Sequence, residues 1–419
     1  MRMSKQEKKG LVPVLRFPEF WDKGEWELAP LKKLANKRTE RNRDGKLVRV
    51  LTNSAEHGVV DQRDYFNKDI AIQGNLENYF IVDSGDFVYN PRISAFAPVG
   101  PISKNSVAKG VMSPLYTIFR FKNSDIDFYA HYFKTSGWHL YMRQVGSTGA
   151  RHDRMAITND DFLAMPLPVP SPKEQQKIAD CLTSVDELIT AQTKKLDALR
   201  AHKKGLMQQL FPAEGKTVPT LRFPEFKNAG EWDVKRIEDA CEKPFSGSTP
   251  TSTNIKYYGG TIPFIRSAEI GKNKTELFLT EEGLKNSSAK LVKKGDVLVA
   301  LYGANSGDVA LGKIDGAINQ AILCLRSKAS NAFLYQYLSY KKQEIISTYL
   351  QGGQGNLSGD IIKSIEFKYP APNEQQKIAD CLKAIDELVT AQTQKIDALK
   401  AHKKGLMQQL YPAMEEVSA

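Results

Sequence analysis

Apolar residues recur along residues 172–210 at alternating spacings of four and three positions. This pattern is typical of helices that pack along one seam, because a repeat of 3.5 residues keeps the same face toward the partner. Pro172 begins the predicted helix, since proline fits the first turn, and Phe211-Pro212 ends it. At 1.5 Å per residue the helix is roughly 58 Å long. The seam positions are Ile178, Leu182, Val185, Ile189, Gln192, Leu196, Leu199, Lys203, Leu206 and Leu210.

The same helix recurs near the end of the chain. Residues 172–212 and 372–412 are identical at 32 of 41 aligned positions. Two seam positions in each copy are polar, Gln192 and Lys203 in the first, and polar seam residues weaken pairing while setting register and orientation. The seam positions of the second copy are Ile378, Leu382, Ile385, Val389, Gln392, Ile396, Leu399, Lys403, Leu406 and Leu410.

A second repeated element precedes each half of the chain. Residues 12–26 and 218–232, named here the RFPEF segments, are identical at 11 of 15 positions. Each RFPEF segment leads into a variable block, and the first block (residues 27–170) and the second block (residues 233–370) are far less alike. The repeated parts are therefore expected to fit a common partner, and the blocks to fit different ones.

The two blocks still share a local skeleton. Residues 84–89 (SGDFVY) and 294–299 (KGDVLV) each combine a glycine turn with an apolar run. A short apolar run after a turn signal predicts a buried strand. The sequence therefore predicts one scaffold for both blocks, with mixed α/β structure and different surfaces.

Antiparallel pairing of the two helices inside one chain satisfies both seams. The first helix then runs from the first block to the second, and the second helix returns. This arrangement brings Pro412 beside the N-terminal RFPEF segment, just as Pro212 leads into the second one, so the chain is predicted to be nearly circular. A heptad of this length also fits an ordinary oligomerisation helix, and the duplication is what favours pairing within the chain.

Charge and composition narrow the possible classes of protein. The chain has 419 residues and a formal net charge of +11, which favours a polyanionic partner such as nucleic acid. The apolar runs fall far short of the roughly 20 residues that cross a bilayer, and the N-terminal sequence lacks the apolar region of a secretory signal. We therefore expect a cytoplasmic protein. The four cysteines include no C-x-x-C pair and are too sparse for a disulfide framework.

The sequence contains none of the catalytic motifs that we sought. The glycine-rich stretches 303–307 and 352–356 lack the Lys-Ser/Thr ending of a phosphate-binding loop. Residues 89–92 (YNPR) share only part of an amino-methyltransferase motif and are predicted as a turn after a strand. The Glu-x-Lys triplets and six scattered histidines form no metal-binding pattern. We expect no catalytic residue, no metal site and no cofactor in this chain.

The pattern as a whole resembles the specificity (S) subunit of type I restriction-modification systems. Residues 247–250 (GSTP) and 262–266 (IPFIR) look like the start of a target-recognition domain of that family, and residues 50–54 (VLTNS) look like a variant start. The motifs that carry the resemblance are the two RFPEF segments, EQQKIADCL at 174–182 and 374–382, and GLMQQL at 205–210 and 405–410.

The resemblance implies a mixed α/β fold with two target-recognition domains joined by two long antiparallel helices that form a coiled-coil spacer. Each domain would recognise one half of a bipartite, asymmetric site on double-stranded DNA. Two modification subunits would dock on the duplicated scaffold and methylate adenine with S-adenosylmethionine, and restriction subunits would add ATP- and Mg-dependent translocation and cleavage. This chain would be the non-catalytic member of the complex.

The expected domain boundaries follow the repeats. They are residues 1–170 for the first RFPEF segment and target-recognition domain, 171–212 for the first spacer helix, 213–370 for the second RFPEF segment and domain, 371–412 for the second helix, and 413–419 for a tail.

Base contacts are expected from loop residues after glycine turns. Arg and Lys suit guanine edges, whereas Asn and Gln suit adenine edges. For each candidate, a solvated side chain or a phosphate contact is an equally good interpretation. Tyr302 lies at a predicted strand end, which favours a core position over a DNA contact. The candidates are Asn53, Arg92, Arg151 and Arg154 in the first block and Arg266, Asn305, Gln354 and Asn356 in the second.

A second hypothesis remains open from the residues alone. The chain could be a two-headed protein-binding scaffold whose positive charge is incidental. Only the DNA hypothesis predicts an affinity for duplex DNA that falls with salt, because neutralised phosphates release counterions.

Overall fold

The computed structural model describes residues 11–66, 76–123, 127–148, 153–349 and 356–412. The chain divides into two compact units. Unit 1 comprises residues 1–192 and 395–419, and unit 2 comprises residues 193–394. Both boundaries fall inside a long helix, so each unit contains one variable block, the first half of one long helix and the second half of the other.

In unit 1 the first block is built from short strands and short helices. Its helices are α1 (Leu31–Leu34), α2 (Gln62–Phe66), α3 (Phe128–Tyr132), α4 (His139–Val145) and α5 (Asn159–Ala164). Its strands are β1 (Glu27–Pro30), β2 (Ala35–Arg38), β3 (Leu51–Ser54), β4 (Gly58–Asp61), β5 (Phe80–Val82), β6 (Phe87–Tyr89), β7 (Ile102–Lys104), β8 (Gly110–Met112), β9 (Thr117–Phe121), β10 (Ser147–Thr148), β11 (Met155–Ala156) and β12 (Pro166–Val169).

An antiparallel sheet in the order β2-β9-β6-β7 forms the centre of the first block. Strand β1 pairs with β12, so the strand after the RFPEF segment closes onto the strand before the long helix. Smaller pairs are β3-β4, β5-β8 and β10-β11. Aromatic side chains dominate the core beneath the sheet, which includes Phe87, Phe119, Phe128, Tyr132, Trp138 and Phe162.

Unit 2 builds the second block on a related plan. Within the block its helices are α7 (Ile237–Ala240), α8 (Glu281–Lys285), α9 (Asn331–Tyr349) and α10 (Gly359–Ser364). Its strands are β13 (Asp233–Arg236), β14 (Phe245–Ser246), β15 (Tyr258–Ile265), β16 (Leu277–Leu279), β17 (Lys290–Val292), β18 (Val297–Ala300), β19 (Val309–Leu311), β20 (Gly316–Ile318), β21 (Ile322–Leu325) and β22 (Glu366–Tyr369).

The second block repeats the central sheet of the first. Strands β14-β21-β18-β19 form an antiparallel sheet with the same connectivity as β2-β9-β6-β7, and β13 pairs with β22 as β1 pairs with β12. A further sheet, β16-β15-β20-β17, contains a parallel pair between β15 and β20. The common scaffold predicted for the two blocks is therefore present, with additional structure in the second.

The two long helices begin and end where the heptad predicts. They are α6 (Pro172–Leu210), between β12 and the second RFPEF segment, and α11 (Pro372–Leu410), after β22. Every predicted seam position is buried or half-buried. Ile178 and Leu182 belong to the core of unit 1 together with Met407 and Leu410. Neither these helices nor any other helix in the described ranges is long and apolar enough to cross a membrane.

Both predicted turn-strand units are confirmed. Gly85 and Gly295 have positive φ angles of 89° and 92°, a conformation that glycine adopts without steric cost. The strands that follow, β6 and β18, are buried along their whole length.

A buried carboxylate fixes each of these turns. Arg120 Nε donates to Asp86 at 2.7 Å, and Arg326 Nε donates to Asp296 at 3.0 Å. Burial raises the pKa of Asp86 despite the arginine. Burial also acts to raise the pKa of Asp296, but the hydrogen bonds from Arg326 and from the Lys293 amide outweigh it and lower that pKa. The same ion pair therefore braces both sheets in different electrostatic surroundings.

Candidate nucleic-acid interface

The first RFPEF segment is bound to the start of a long helix by a buried ion pair. Arg16 Nε donates to Glu174 Oε1 at 2.7 Å, and Arg16 Nη2 donates to Glu174 Oε2 at 2.9 Å. The Glu174 side chain is 1% exposed. A planar guanidinium that meets a carboxylate at two points fixes both position and angle.

Unit 2 repeats this ion pair with nearly the same geometry. Arg222 donates to both Glu374 oxygens at 2.8 Å. Trp232 Nε1 adds a third donor to Glu374 at 3.2 Å. The sequence repeat therefore corresponds to a structural repeat, in which each RFPEF segment orients the helix that follows its own block.

The residue before the arginine of each RFPEF segment is bound to the end of the opposite long helix. The amide of Leu15 donates to the carbonyl oxygen of Gln409, and the amide of Leu221 donates to that of Gln209, both at 2.9 Å. Antiparallel pairing predicts that the end of the second long helix lies beside the first RFPEF segment, and the bond to Gln409 shows this within unit 1. In each unit the early part of one helix and the late part of the other are joined through an RFPEF segment.

The seam lysines find carboxylate partners in the same antiparallel sense. Within unit 1, Lys403 Nζ lies 2.5 Å from Asp186, and within unit 2, Lys203 Nζ lies 2.6 Å from Asp386. Gln336 of α9 also donates to Asp386 at 2.7 Å, which connects the second block to the seam. Charged seam pairs of this kind fit only one register.

In unit 1 the structure brings Arg92 and Arg154 together. Their backbones form an isolated antiparallel bridge, and both side chains line a depression of about 580 Å³. Arg154 lies 3.9 Å from Asp153, whereas the Arg92 guanidinium has no ion pair among the described residues. Two adjacent, accessible guanidinium groups suit guanine edges or phosphates.

Asn53 borders the same depression, but the residue is only 1% exposed. Its amide nitrogen donates to the carbonyl oxygens of Val88 at 2.8 Å and Pro101 at 3.1 Å. The expectation of a base contact at Asn53 is therefore corrected, because these bonds use its donors to join two strands of the block. Arg151, the fourth predicted residue of this block, lies outside the described residues.

In unit 2 the structure brings Asn305 and Asn356 to neighbouring loops. The Gly303 amide donates to Asn356 Oδ1 at 3.4 Å, and the Leu357 amide donates to the Leu301 carbonyl oxygen at 2.9 Å. Both asparagines therefore stand where the chain leaves β18. Gln354 lies outside the described residues.

Tyr302 belongs to the same group of loop residues. It is 38% exposed, so the core position favoured from sequence is wrong.

Arg266 is committed to contacts within the protein. Its guanidinium donates to Glu269 Oε1 at 3.0 Å and to Glu276 Oε2 at 2.5 Å. Burial acts to raise the pKa of Glu269, but hydrogen bonds from the Arg266 side chain and backbone bring it down to about 2. The expectation of a guanine contact is therefore corrected here, because two carboxylates already neutralise and orient this arginine.

Sequence reasoning missed the cleft on the other side of the arginine depression. This cleft in unit 1 has a volume of about 840 Å³, and Phe96 borders both cavities. The heptad pattern gave no indication that lysines late in the second long helix face the first block. Within the described part of the chain, no group of three or more His, Cys, Asp or Glu side chains is placed to hold a metal ion.

Comparison with known proteins agrees with the duplicated architecture. The family model for the type I restriction modification DNA specificity domain matches twice, at residues 25–201 and 229–401. The MjaIX specificity subunit of Methanocaldococcus jannaschii is 33% identical over 170 residues, or 38% of this chain and 39% of that protein. The EcoR124I/EcoR124II specificity subunit of Escherichia coli is 26% identical over 260 residues, or 58% of this chain and 60% of that protein. Each match spans less than two thirds of the relative.

Two solved structures share the fold. The S subunit of a type I restriction-modification system from M. genitalium has a TM-score of 0.59 at 13% identity, covering 96% of this chain and 99% of that one. A chain from a study of complex assembly and conformational transition in the type I R-M system has a TM-score of 0.55 at 18% identity, covering 93% and 98%.

Proposed function

The chain belongs to the type I restriction modification DNA specificity family, and on this premise we propose that it is the non-catalytic DNA-specificity subunit of a type I restriction-modification complex. Each variable block recognises one half of a bipartite, asymmetric site on double-stranded DNA. The observation that carries the proposal is that the two blocks share one central sheet but present different polar side chains on the loops beside it.

The difference between the loops suits two different half-sites. Unit 1 presents Arg92 and Arg154, and unit 2 presents Asn305 and Asn356. Arginine favours guanine O6 and N7, whereas asparagine favours adenine N6 and N7. The long helices act as a coiled-coil spacer that sets the separation between the half-sites.

The repeated parts of the chain have a different role in this proposal. Two modification subunits dock on the RFPEF segments and long helices, since a duplicated surface suits two copies of one partner. S-adenosylmethionine, ATP and Mg²⁺ are bound by the modification and restriction subunits, which methylate adenine and translocate and cleave DNA in the cytoplasm. This chain supplies recognition and geometry.

Exchange of one block tests the proposal. The full chain is combined with its modification subunits, and methylated adenines are mapped in the DNA that the complex modifies. Replacing residues 233–370 with a block from another family member is expected to change one half-site and leave the other half-site and the separation unchanged. Changes in both half-sites would contradict the two-block assignment. No binding of the mapped duplex at any salt concentration would favour a protein-binding scaffold instead.

A further inference from the structure

The two blocks place an exposed aromatic residue on equivalent loops. Strands β6 and β7 form an antiparallel hairpin in the first central sheet, and β18 and β19 form the matching hairpin in the second. The loop of the first hairpin carries Phe96, and the loop of the second carries Tyr302. Phe96 is the seventh residue after β6 and Tyr302 is the second after β18, so the shared feature is an exposed aromatic ring on the same hairpin loop, not at the same loop position.

The turn that carries Phe96 is held by its own backbone. The Ser94 amide donates to the Ala97 carbonyl oxygen and the Ala97 amide donates to the Ser94 carbonyl oxygen, both at 3.1 Å. At the base of the loop, Gly100 has a φ of 81°, and a Cβ there would lie 2.1 Å from the Asn90 carbonyl oxygen. Phe96 itself is 73% exposed. A turn that is held by hydrogen bonds and exposes an aromatic ring to solvent is suited to contact a binding partner.

Cationic side chains border this ring on both sides. The depression of about 580 Å³ on one side contains Arg92 and Arg154, with Glu56 as the carboxylate among its described lining residues. The cleft of about 840 Å³ on the other side contains no carboxylate among its described lining residues. The ring therefore stands between two surfaces that attract phosphates. The lysines of the cleft are Lys134, Lys400, Lys403 and Lys404. Lys134 and Lys403 also pair with Asp186, so Lys400 and Lys404 are the ones that attract phosphates.

The loop of unit 2 is also anchored from below. The Leu301 amide donates to the Ala321 carbonyl oxygen at 2.8 Å, and Ser306 Oγ donates to the Leu301 carbonyl oxygen at 2.8 Å. Tyr302 and Asn305 both lie in the chain between the anchored residues Leu301 and Ser306, and Tyr302 is partly exposed. Its surroundings are amide side chains rather than guanidinium groups, and it lies in the loop of the hairpin that matches the Phe96 hairpin.

We propose that Phe96 and Tyr302 are the apolar base contacts of their half-sites, each packing its ring against the C5-methyl group of a thymine. Apolar side chains recognise this methyl group in the major groove, where polar neighbours can bind the adjacent base edges. Lys400 and Lys404, which line the cleft beside Phe96, hold the flanking phosphates. This inference rests on the proposed function and adds the residues that distinguish thymine within each half-site.

Thymine-to-uracil substitution tests the inference, because it removes the methyl group alone. The full chain with its modification subunits is titrated with duplexes in which each thymine of the mapped site is replaced by uracil in turn. Phe96→Ala is expected to bind the unsubstituted duplex roughly tenfold more weakly. At one thymine of the first half-site, replacement by uracil is expected to lower the affinity of the wild-type complex for the duplex. The same replacement should leave the affinity of the Phe96→Ala complex unchanged. Tyr302→Ala is expected to show the same coupling in the other half-site only.

Controls separate this contact from other causes of weaker binding. Val107→Ala truncates another exposed apolar residue of the first block and is expected to leave affinity unchanged. Lys400→Ala with Lys404→Ala is expected to lower the slope of log K against log salt by about 2, whereas Phe96→Ala leaves that slope unchanged.

The outcomes distinguish the inference from the proposed function. Equal binding by wild type and Phe96→Ala, or a loss that is the same for thymine and uracil duplexes, overturns the inference alone. Loss of the modification subunits from Phe96→Ala also overturns it, because the loop would then be a protein contact. No binding of the mapped duplex by wild type overturns the proposed function as well.

Discussion

The amide of Leu15 donates to the carbonyl oxygen of Gln409 at 2.9 Å, and Leu221 repeats this bond with Gln209 at the same distance. In unit 2 the helix end and the RFPEF segment are consecutive in the chain. In unit 1 they come from its opposite ends. The same local structure therefore forms with and without a covalent connection, because side-chain packing and hydrogen bonds suffice to hold it.

Matched truncations at the helix ends are expected to destabilise one unit each. Tyr411 packs on Phe128 and Tyr132 in unit 1, and its hydroxyl donates to the Phe128 carbonyl oxygen at 2.8 Å. Phe211 packs on Phe333 and Tyr337 in unit 2. Replacing either ring with alanine should cost about 3–5 kcal/mol, because it leaves a cavity in a core.

Hydrogen exchange locates the effect of these truncations. Tyr411→Ala should speed exchange in residues 117–142, and Phe211→Ala should speed it in residues 331–349. Each variant is the control for the other. Equal acceleration in both segments from either variant would contradict the division into two units.

The Arg16–Glu174 ion pair is expected to be essential for the stability of unit 1. Arg16→Ala leaves a buried carboxylate without its partner, which should cost about 3–5 kcal/mol. Arg16→Ala with Glu174→Gln should recover part of this loss, since no uncompensated charge remains. Thermal unfolding checks the order of stability, with the exposed Arg200→Ala as a control expected to differ little from wild type. Arg16→Ala as stable as Arg200→Ala would refute this role.

Unit 1 is expected to lose stability in mild acid through His131. Burial, reinforced by Lys134 and Lys403, lowers the pKa of His131 to about 4. Below about pH 6.5 the unfolded chain binds a proton at His131, whereas the folded chain binds it only below about pH 4. The free energy of unfolding of unit 1 therefore falls as the pH falls through this window.

The expected loss from His131 between pH 7 and pH 5 is about 2 kcal/mol. His131→Gln keeps a hydrogen-bonding group near Thr183, whose hydroxyl lies 3.1 Å from His131 Nε2, but cannot take up the proton. Hydrogen exchange of unit 1 at the two pH values should show a smaller acid loss in this variant than in wild type. An equal loss in both proteins would assign the effect to other groups.

The polar loop residues are expected to act on separate half-sites. Arg92→Ala should relax the requirement for a guanine in one half-site, and Asn305→Ala should relax the requirement for an adenine in the other, each by about 1–3 kcal/mol. Mapping methylated adenines in DNA modified by each variant complex measures both effects. Arg266→Ala is a control, because its guanidinium is held by Glu269 and Glu276 and should not specify a base. Relaxation of the same half-site by Arg92→Ala and Asn305→Ala would contradict the assignment.

The sequence determined the repeated scaffold of this protein. The bounds of the long helices, their seam positions and the turns before β6 and β18 follow from short-range patterns, because helix periodicity and glycine conformation are local properties. The duplication also indicated that early and late parts of the two helices meet, which the seam ion pairs of Lys403 and Lys203 bear out within each unit.

Only the tertiary structure decided which polar side chains are exposed and free of partners within the described part of the chain, and so can contact DNA. The sequence offers Asn53 and Arg92 equally as residues that contact DNA. In the structure the Asn53 amide is buried by a hydrogen bond to the Val88 carbonyl oxygen, 35 residues away in the chain. Phe96 gave no signal in the sequence, because its exposure depends on a turn between two cavities. Burial and charge pairing are set by residues distant in the chain, so no local pattern could assign them.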